Sequence, residues 1–190
     1  MLRVENVKVY DLEESVIACR NSMRLEMPEY TDAEFHESME RAKKLAPLAG
    51  GHNNFLAGIR VAFDMVYPNY ISPELQRYTF FKIVNSSSKM HRLQLMAARP
   101  ECYNKYVTKA TIEQMSALSE QYHDEPTYEN FMRLVSNCPQ GIELFMRCST
   151  NYLCLRNIYR QRKGHRLRED WSAFCDFIEK LPYAKELILS

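Results

Sequence analysis

The sequence predicts an α+β fold, rich in helix and with few strands. Most of the chain falls into segments with helical start and stop signals, whereas only two short segments clearly alternate apolar and polar residues as strands do. The bulk properties agree. A chain of 190 residues, 46% hydrophobic, 12% aromatic and 26% charged, is long enough to bury a core in a single domain spanning 1–190, and its composition is globular, not disordered.

The elements follow in order. "VENVKVYDL" (4–12) alternates Val4, Val7 and Val9 with polar residues and predicts a strand. "DLEESVIACRNSM" has acids in its first turn with Val16 and Ile17 behind them, so a helix. "TDAEFHESMERAKKLAPL" opens with Thr31 and has Glu34 three residues on, the spacing of a capping box, and Pro47 stops the helix. "AGGHNNF" is a loop, and "IRVAFDMVY" (59–67) is a strand broken by Pro68. "SPELQRY" starts a helix with Ser72 as N-cap and Pro73 at the first helical position.

"TFFKIV" is either the end of that helix or a strand. "KATIEQMSALSEQYHD" (109–124) is helical, and "EPTYENFMRLVSNC" (125–138) is another helix, stopped by Pro139. "IELFMRC" (142–148) continues as strand or helix. "STNYLCLRNIYRQRKG" is a helix capped by Ser149, Thr150 or Asn151 and ended by Gly164. "REDWSAFCDFIEKLP" is the last long helix, ended by Pro182. There is no repeat and no low-complexity segment.

The net charge of +1 gives no bulk electrostatic reason to expect nucleic acid or a membrane surface as partner. The basic residues are nevertheless uneven. Arg156, Arg160, Arg162, Lys163, Arg166 and Arg168 crowd one stretch with His165, either as a solvated helix face or as an anion-binding face. The six cysteines form no CxxC and no cluster with metal spacing. They predict reduced thiols that fill the core of a cytoplasmic protein. The N-terminus lacks an apolar signal region, and no apolar run approaches the roughly 18 residues that span a bilayer.

By themselves the polar constellations are sparse. His52 is a lone loop histidine after Gly50-Gly51, and Ser86-Ser87-Ser88 lies outside any GxSxG context. There is no P-loop and no GxGxxG. Trp171 and the Tyr/Phe-rich helices are expected in the core or a subunit interface.

Several segments together carry more. Arg77-Tyr78-Thr79 is followed by seven residues, then Ser87, with Lys89 two further on. "VAFDMVYP" precedes it, "GGHNNF" and "IACRNS" lie upstream, and "CPQGIELFMRCSTNYLCLRNIYRQR" lies downstream. In order and near-matching spacing, these resemble the flavin-dependent thymidylate synthase (ThyX) family. Its signature is RHR, seven residues, Ser, and an Arg two further on. The resemblance covers most of the chain.

It implies an α+β homotetramer with a small, mostly antiparallel sheet and subunit-shared sites. FAD and dUMP are the ligands. Methylenetetrahydrofolate gives the carbon, NADPH renews the flavin, and dUMP becomes dTMP. No cysteine nucleophile is required. Residue by residue, Arg162 matches the Arg that contacts the uracil ring and favours its ionised form, a role suited to a fixed guanidinium. Asn151 and Asn157 match flavin contacts, as do His52 in the loop and Asn54, which takes the place of a small hydroxyl residue near flavin phosphate. Arg77 meets flavin and nucleotide. Glu74 takes the place of a nucleotide-contacting Gln. Asn85, Ser87 and Lys89 take the places of a Glu, a Ser and an Arg around the nucleotide. Arg133 stands in for a further nucleotide-contacting Arg if two residues are inserted before Pro139.

The pattern also departs from the family. Tyr78 and Thr79 replace the signature His and second Arg, at positions that face flavin; Tyr78 could stack on an isoalloxazine or adenine ring. Lys89 keeps a charge but loses the bidentate fork. Ala57 and Gly58 replace a Glu-His, and Glu74 adds a negative charge. Two alternatives therefore stand beside the synthase. One is a protein that binds a pyrimidine nucleotide without flavin catalysis. The other is an enzyme that transfers a different one-carbon unit to dUMP.

Overall fold

The computed structural model describes all 190 residues. In chain order the elements are β1 (Arg3–Tyr10), α1 (Leu12–Ala18), α2 (Asp32–Leu45), β2 (Arg60–Pro68), α3 (Ser72–Leu75), β3 (Lys82–Ser86), α4 (Lys89–Ala97), α5 (Lys109–Asp124), α6 (Tyr128–Asn137), β4 (Glu143–Asn151), α7 (Tyr152–Arg162), α8 (Arg168–Glu179) and α9 (Ala184–Leu187). The strands form one sheet in the order β1-β2-β4-β3, and every neighbouring pair is antiparallel. No helix is long and apolar enough to cross a membrane, and all six cysteines are free.

The alternation seen in β2 decides which face of the sheet is covered. Val61, Phe63, Met65 and Tyr67 pair across with Thr150, Cys148, Met146 and Leu144 of β4, and all eight are buried. Residues of period two lie on one face, so this row forms the floor of the core. α7 and α8 cover it. Phe63 meets Phe177 at 4.8 Å between ring centroids and Phe174 at 6.0 Å, in tilted arrangements that aromatic pairs favour. A smaller cluster, with Leu93, Met115, Leu134 and Ile142, joins α4, α5 and α6.

β3 is one of the two edge strands, with β1 at the other edge, and all five of its residues are exposed. With neither face buried, no apolar period marked it in the sequence, which is why "TFFKIV" read equally as helix or strand. Its pairing slips between Ile83 and Asn85, so Val84 is an extra residue that turns the strand end. "IELFMRC" likewise resolves as strand, within β4.

The local signals hold with two corrections. Thr31 Oγ1 accepts from the Glu34 N–H at 3.3 Å, but the Glu34 carboxylate turns to Arg20, Arg24 and Ser38 instead of completing the capping box. Ser72 lies inside α3, whose N-cap position is Ile71, and its hydroxyl accepts from Gln76 Nε2 at 3.2 Å. Two helices, α4 and the short α9, had no sequence assignment at all. α4 begins after Ser88, whose hydroxyl accepts from the His91 N–H at 3.3 Å. Of the three candidate caps before α7, Asn151 does the work, with Oδ1 accepting from the Cys154 N–H at 2.9 Å. Thr31→Ala is expected to cost about 1 kcal/mol and to lower the melting temperature by about 2–4 °C. Thermal denaturation followed by circular dichroism checks this.

Candidate functional site

The sheet and the α7–α8 turn bring together residues far apart in sequence. β2 ends at Pro68 and the chain turns into α3, which carries Glu74; Tyr78 follows. β4 runs into α7 with no loop between them, because Asn151 is both the last strand residue and the helix cap. α7 therefore projects from a fixed point, and Arg162 sits in its last turn. Gly164, at φ +82°, allows the reversal into α8, where Trp171 lies one turn in.

Arg162 is held on three sides. Its Nε donates to the Tyr78 hydroxyl at 2.9 Å, and its Nη1 pairs with Glu74 Oε2 at 2.9 Å. Its guanidinium carbon lies 4.5 Å from the centre of the Trp171 ring, a cation–π stack. Trp171 is 0% exposed, so its N–H needs an acceptor, and Glu74 Oε2 supplies it at 2.9 Å. The Tyr78 hydroxyl donates onward to Gln161 Oε1 at 2.9 Å. Burial pushes the Tyr78 phenol above its ordinary value, and Arg162 opposes that shift. His165 Nε2 stands 3.9 Å from the same Glu74 oxygen. The Leu167 N–H donates to His165 Nδ1, which leaves the neutral ring's proton on Nε2, facing Glu74. The Arg162 side chain keeps 11% exposure, and its Nη2 has no partner within the chain.

The other sequence-selected residues lie in separate places. Ser87 continues β3 by two bonds to Phe145 of β4: its N–H donates to the Phe145 carbonyl at 2.8 Å, and its Oγ accepts from the Phe145 N–H at 3.0 Å. The hydroxyl proton of Ser87 therefore remains available to donate. Ser87 also lines a cavity of about 630 Å³ with His91, Arg92 and Arg99. Lys89 is the first residue of α4, at a helix end that favours anions. Asn85 is exposed and its Oδ1 accepts from the Ser86 N–H at 2.8 Å.

His52 and Asn54 line another cavity, about 320 Å³, with Cys19, Ser22 and Arg41. Arg77 and Thr79 are exposed beside Tyr78. Asn157 is exposed on α7. Arg133 stands on α6, paired with Glu129 at 2.6 Å one turn away, and is not brought beside the others.

The basic stretch is neither a uniform solvated face nor a single anion site. Arg156 is buried, Arg162 is paired, and Lys163 donates to the Tyr159 hydroxyl at 2.7 Å. Arg166 and Arg168 line a cavity of about 610 Å³ with Tyr70, Asn104 and Tyr106. Sequence reasoning did not place Trp171, Gln161 and His165 at the site. A single tryptophan beside a basic stretch was the available signal, since a buried indole N–H requires an acceptor and Glu74 is that acceptor.

An α+β protein with this four-stranded antiparallel sheet has counterparts among solved structures. No family model matches the sequence, and no curated protein matches it. The fold is shared with the flavin-dependent thymidylate synthase ThyX from Helicobacter pylori complexed with FAD and dUMP: 13% identity, 97% of each chain covered, TM-score 0.75. A second crystal structure of ThyX from Helicobacter pylori, with FAD and dUMP, matches at 12% identity over 99% of this chain and 97% of that one, TM-score 0.74. A UMP/dUMP methylase, PolB from Streptomyces cacaoi bound with 5-Br dUMP, matches at 11% identity over 84% and 77%, TM-score 0.55. The chain thus has the ThyX-like α+β fold that its sequence predicted.

Proposed function

We propose that the protein binds a pyrimidine nucleotide, dUMP, and methylates it reductively to dTMP with methylenetetrahydrofolate as carbon donor, in the manner of flavin-dependent thymidylate synthases. The observation that supports this best is the convergence of Glu74, Tyr78 and Arg162 at the end of α7, in a fold shared with structures that contain dUMP.

In this reading Arg162 presents its free Nη2 edge to a carbonyl of the pyrimidine ring. A guanidinium already fixed by Glu74, Tyr78 and Trp171 meets that carbonyl with little further ordering. The Ser87 hydroxyl and Lys89, at the start of α4, receive the phosphate. Arg77 lies at the junction of nucleotide and flavin.

The residues present fit a flavin. His52, Arg77 and Asn157 make no side-chain hydrogen bond within the chain, and Asn151 uses only Oδ1 for its cap, so four polar groups remain to hold it. Flavin, when bound, supplies the hydride for the reduction and is renewed by NADPH. These groups stand in different places of one chain, in keeping with a homotetramer whose sites are completed between copies.

A second reading has its own support. The Tyr78 hydroxyl is committed to Arg162 and Gln161, and Tyr78 and Thr79 stand where the family has a His and an Arg. A protein that binds the nucleotide without flavin, or transfers another one-carbon unit, fits those facts. Titration with FAD, followed by quenching of flavin fluorescence, separates the two. The synthase reading expects saturable binding that Arg77→Ala weakens by about tenfold, the scale of one lost charge-assisted contact. No quenching at saturating FAD, with dUMP still bound in calorimetry, selects the second reading.

A further inference from the structure

We propose that Glu74 is a specificity-determining residue: an internal counter-ion that denies the Arg162 guanidinium to phosphate and leaves it able to receive only an uncharged acceptor. The inference rests on the reading of Arg162 as the ring-facing cation.

The geometry points to it in three ways. First, the pairing is close. Glu74 Oε2 lies 2.9 Å from Arg162 Nη1, so the cation and the carboxylate sum to a neutral unit. Second, the carboxylate is fixed. The buried Trp171 indole donates to the same oxygen at 2.9 Å, and Glu74 sits on α3, itself anchored by the buried Ile71 and Leu75. It cannot swing away without orphaning a buried N–H. Third, the guanidinium is closed on its other sides by the Tyr78 hydroxyl and the Trp171 ring face.

An incoming phosphate dianion would meet the Glu74 carboxylate before it could form the bidentate pair that an unpaired arginine favours. A ring carbonyl carries no charge and needs only the free N–H edge. The ionisable groups around the carboxylate are Arg162 of α7, His165 of the α7–α8 turn and the Tyr78 phenol after α3, and Trp171 of α8 completes its surroundings. The phosphate end of a ligand is thereby sent elsewhere, which fixes the direction in which a nucleotide enters.

Trp171 is the only tryptophan, so its indole N–H resonance reports on this cluster alone. Inorganic phosphate is titrated into the full chain, into Glu74→Ala and into Glu74→Ala/Arg162→Met. The expected result is a saturable indole shift in Glu74→Ala with affinity at least about tenfold above wild type, abolished in the double variant. Equal phosphate affinity in wild type and Glu74→Ala overturns the proposal. So does a gain that survives loss of Arg162. If the alanine variant lacks the dispersed indole resonance of the folded chain, Glu74→Gln repeats the comparison, since it is neutral and keeps an acceptor for the indole. Failure of the nucleotide reading shows separately, as no response of wild type to deoxyuridine, and leaves the phosphate comparison intact.

Discussion

Arg162→Ala is expected to lower affinity for dUMP roughly 10- to 100-fold, the effect of losing one charge-assisted hydrogen bond from a pre-oriented donor. Three contacts fix the guanidinium, so its truncation removes a donor that is already oriented. It also leaves the Glu74 carboxylate, only 23% exposed, without its cation. Arg162→Lys separates charge from shape. It restores a point charge but not the planar fork or the stack on Trp171, and is expected to recover only part of the affinity. Isothermal titration with dUMP measures both variants. Unchanged affinity in Arg162→Ala refutes the assignment of this arginine to the nucleotide.

Arg156→Met is expected to be the most destabilising substitution considered, at about 3 kcal/mol. Arg156 is 1% exposed and faces no carboxylate side chain. Its Nη1 donates to the carbonyls of Leu187 and Ile188 at 3.3 and 3.1 Å and to the Ser190 hydroxyl at 3.1 Å. These acceptors lie at the end of α9, where helix carbonyls have no partner of their own. Burial, then the neighbouring Arg160, lowers the Arg156 pKa from its ordinary value. Methionine fills much of the volume but leaves those carbonyls buried and unpaired. The melting temperature is expected to fall by about 6–12 °C for a chain of this size. An unchanged urea midpoint would show that α9 docks without this contact.

The two arginines come from one basic stretch, and their contrast shows where sequence reading stopped. Charge and helical position alone give Arg156 and Arg162 the same standing, as cations on a helix ahead of Gly164; only the family resemblance singles out Arg162. Side-chain burial depends on what packs against the helix, and α8, α9 and α3 arrive from elsewhere in the chain. Helix periodicity records only that a side chain faces inward, not what it meets. One edge strand shows the same limit: β3 has no buried face to create a period. The start of α4 was legible in principle, since Ser88 is a sound N-cap, but a run of serines also reads as a turn.

By itself the sequence determined the α+β class, the strands β1 and β2, the capped helices, and the order of the motifs around Arg77, Ser87 and Arg162. Those features are local: caps, breakers and period-two alternation act within a few residues, so neighbouring residue types suffice to write them. Only the tertiary structure decided that Glu74 closes on Arg162, that Trp171 anchors the pair, and that Arg156 is a buried clamp. These are contacts between segments up to 97 residues apart, as for Trp171 and Glu74. Each is chosen by the need of a buried N–H, carbonyl or charge for a partner, and the fold determines which partner comes within reach.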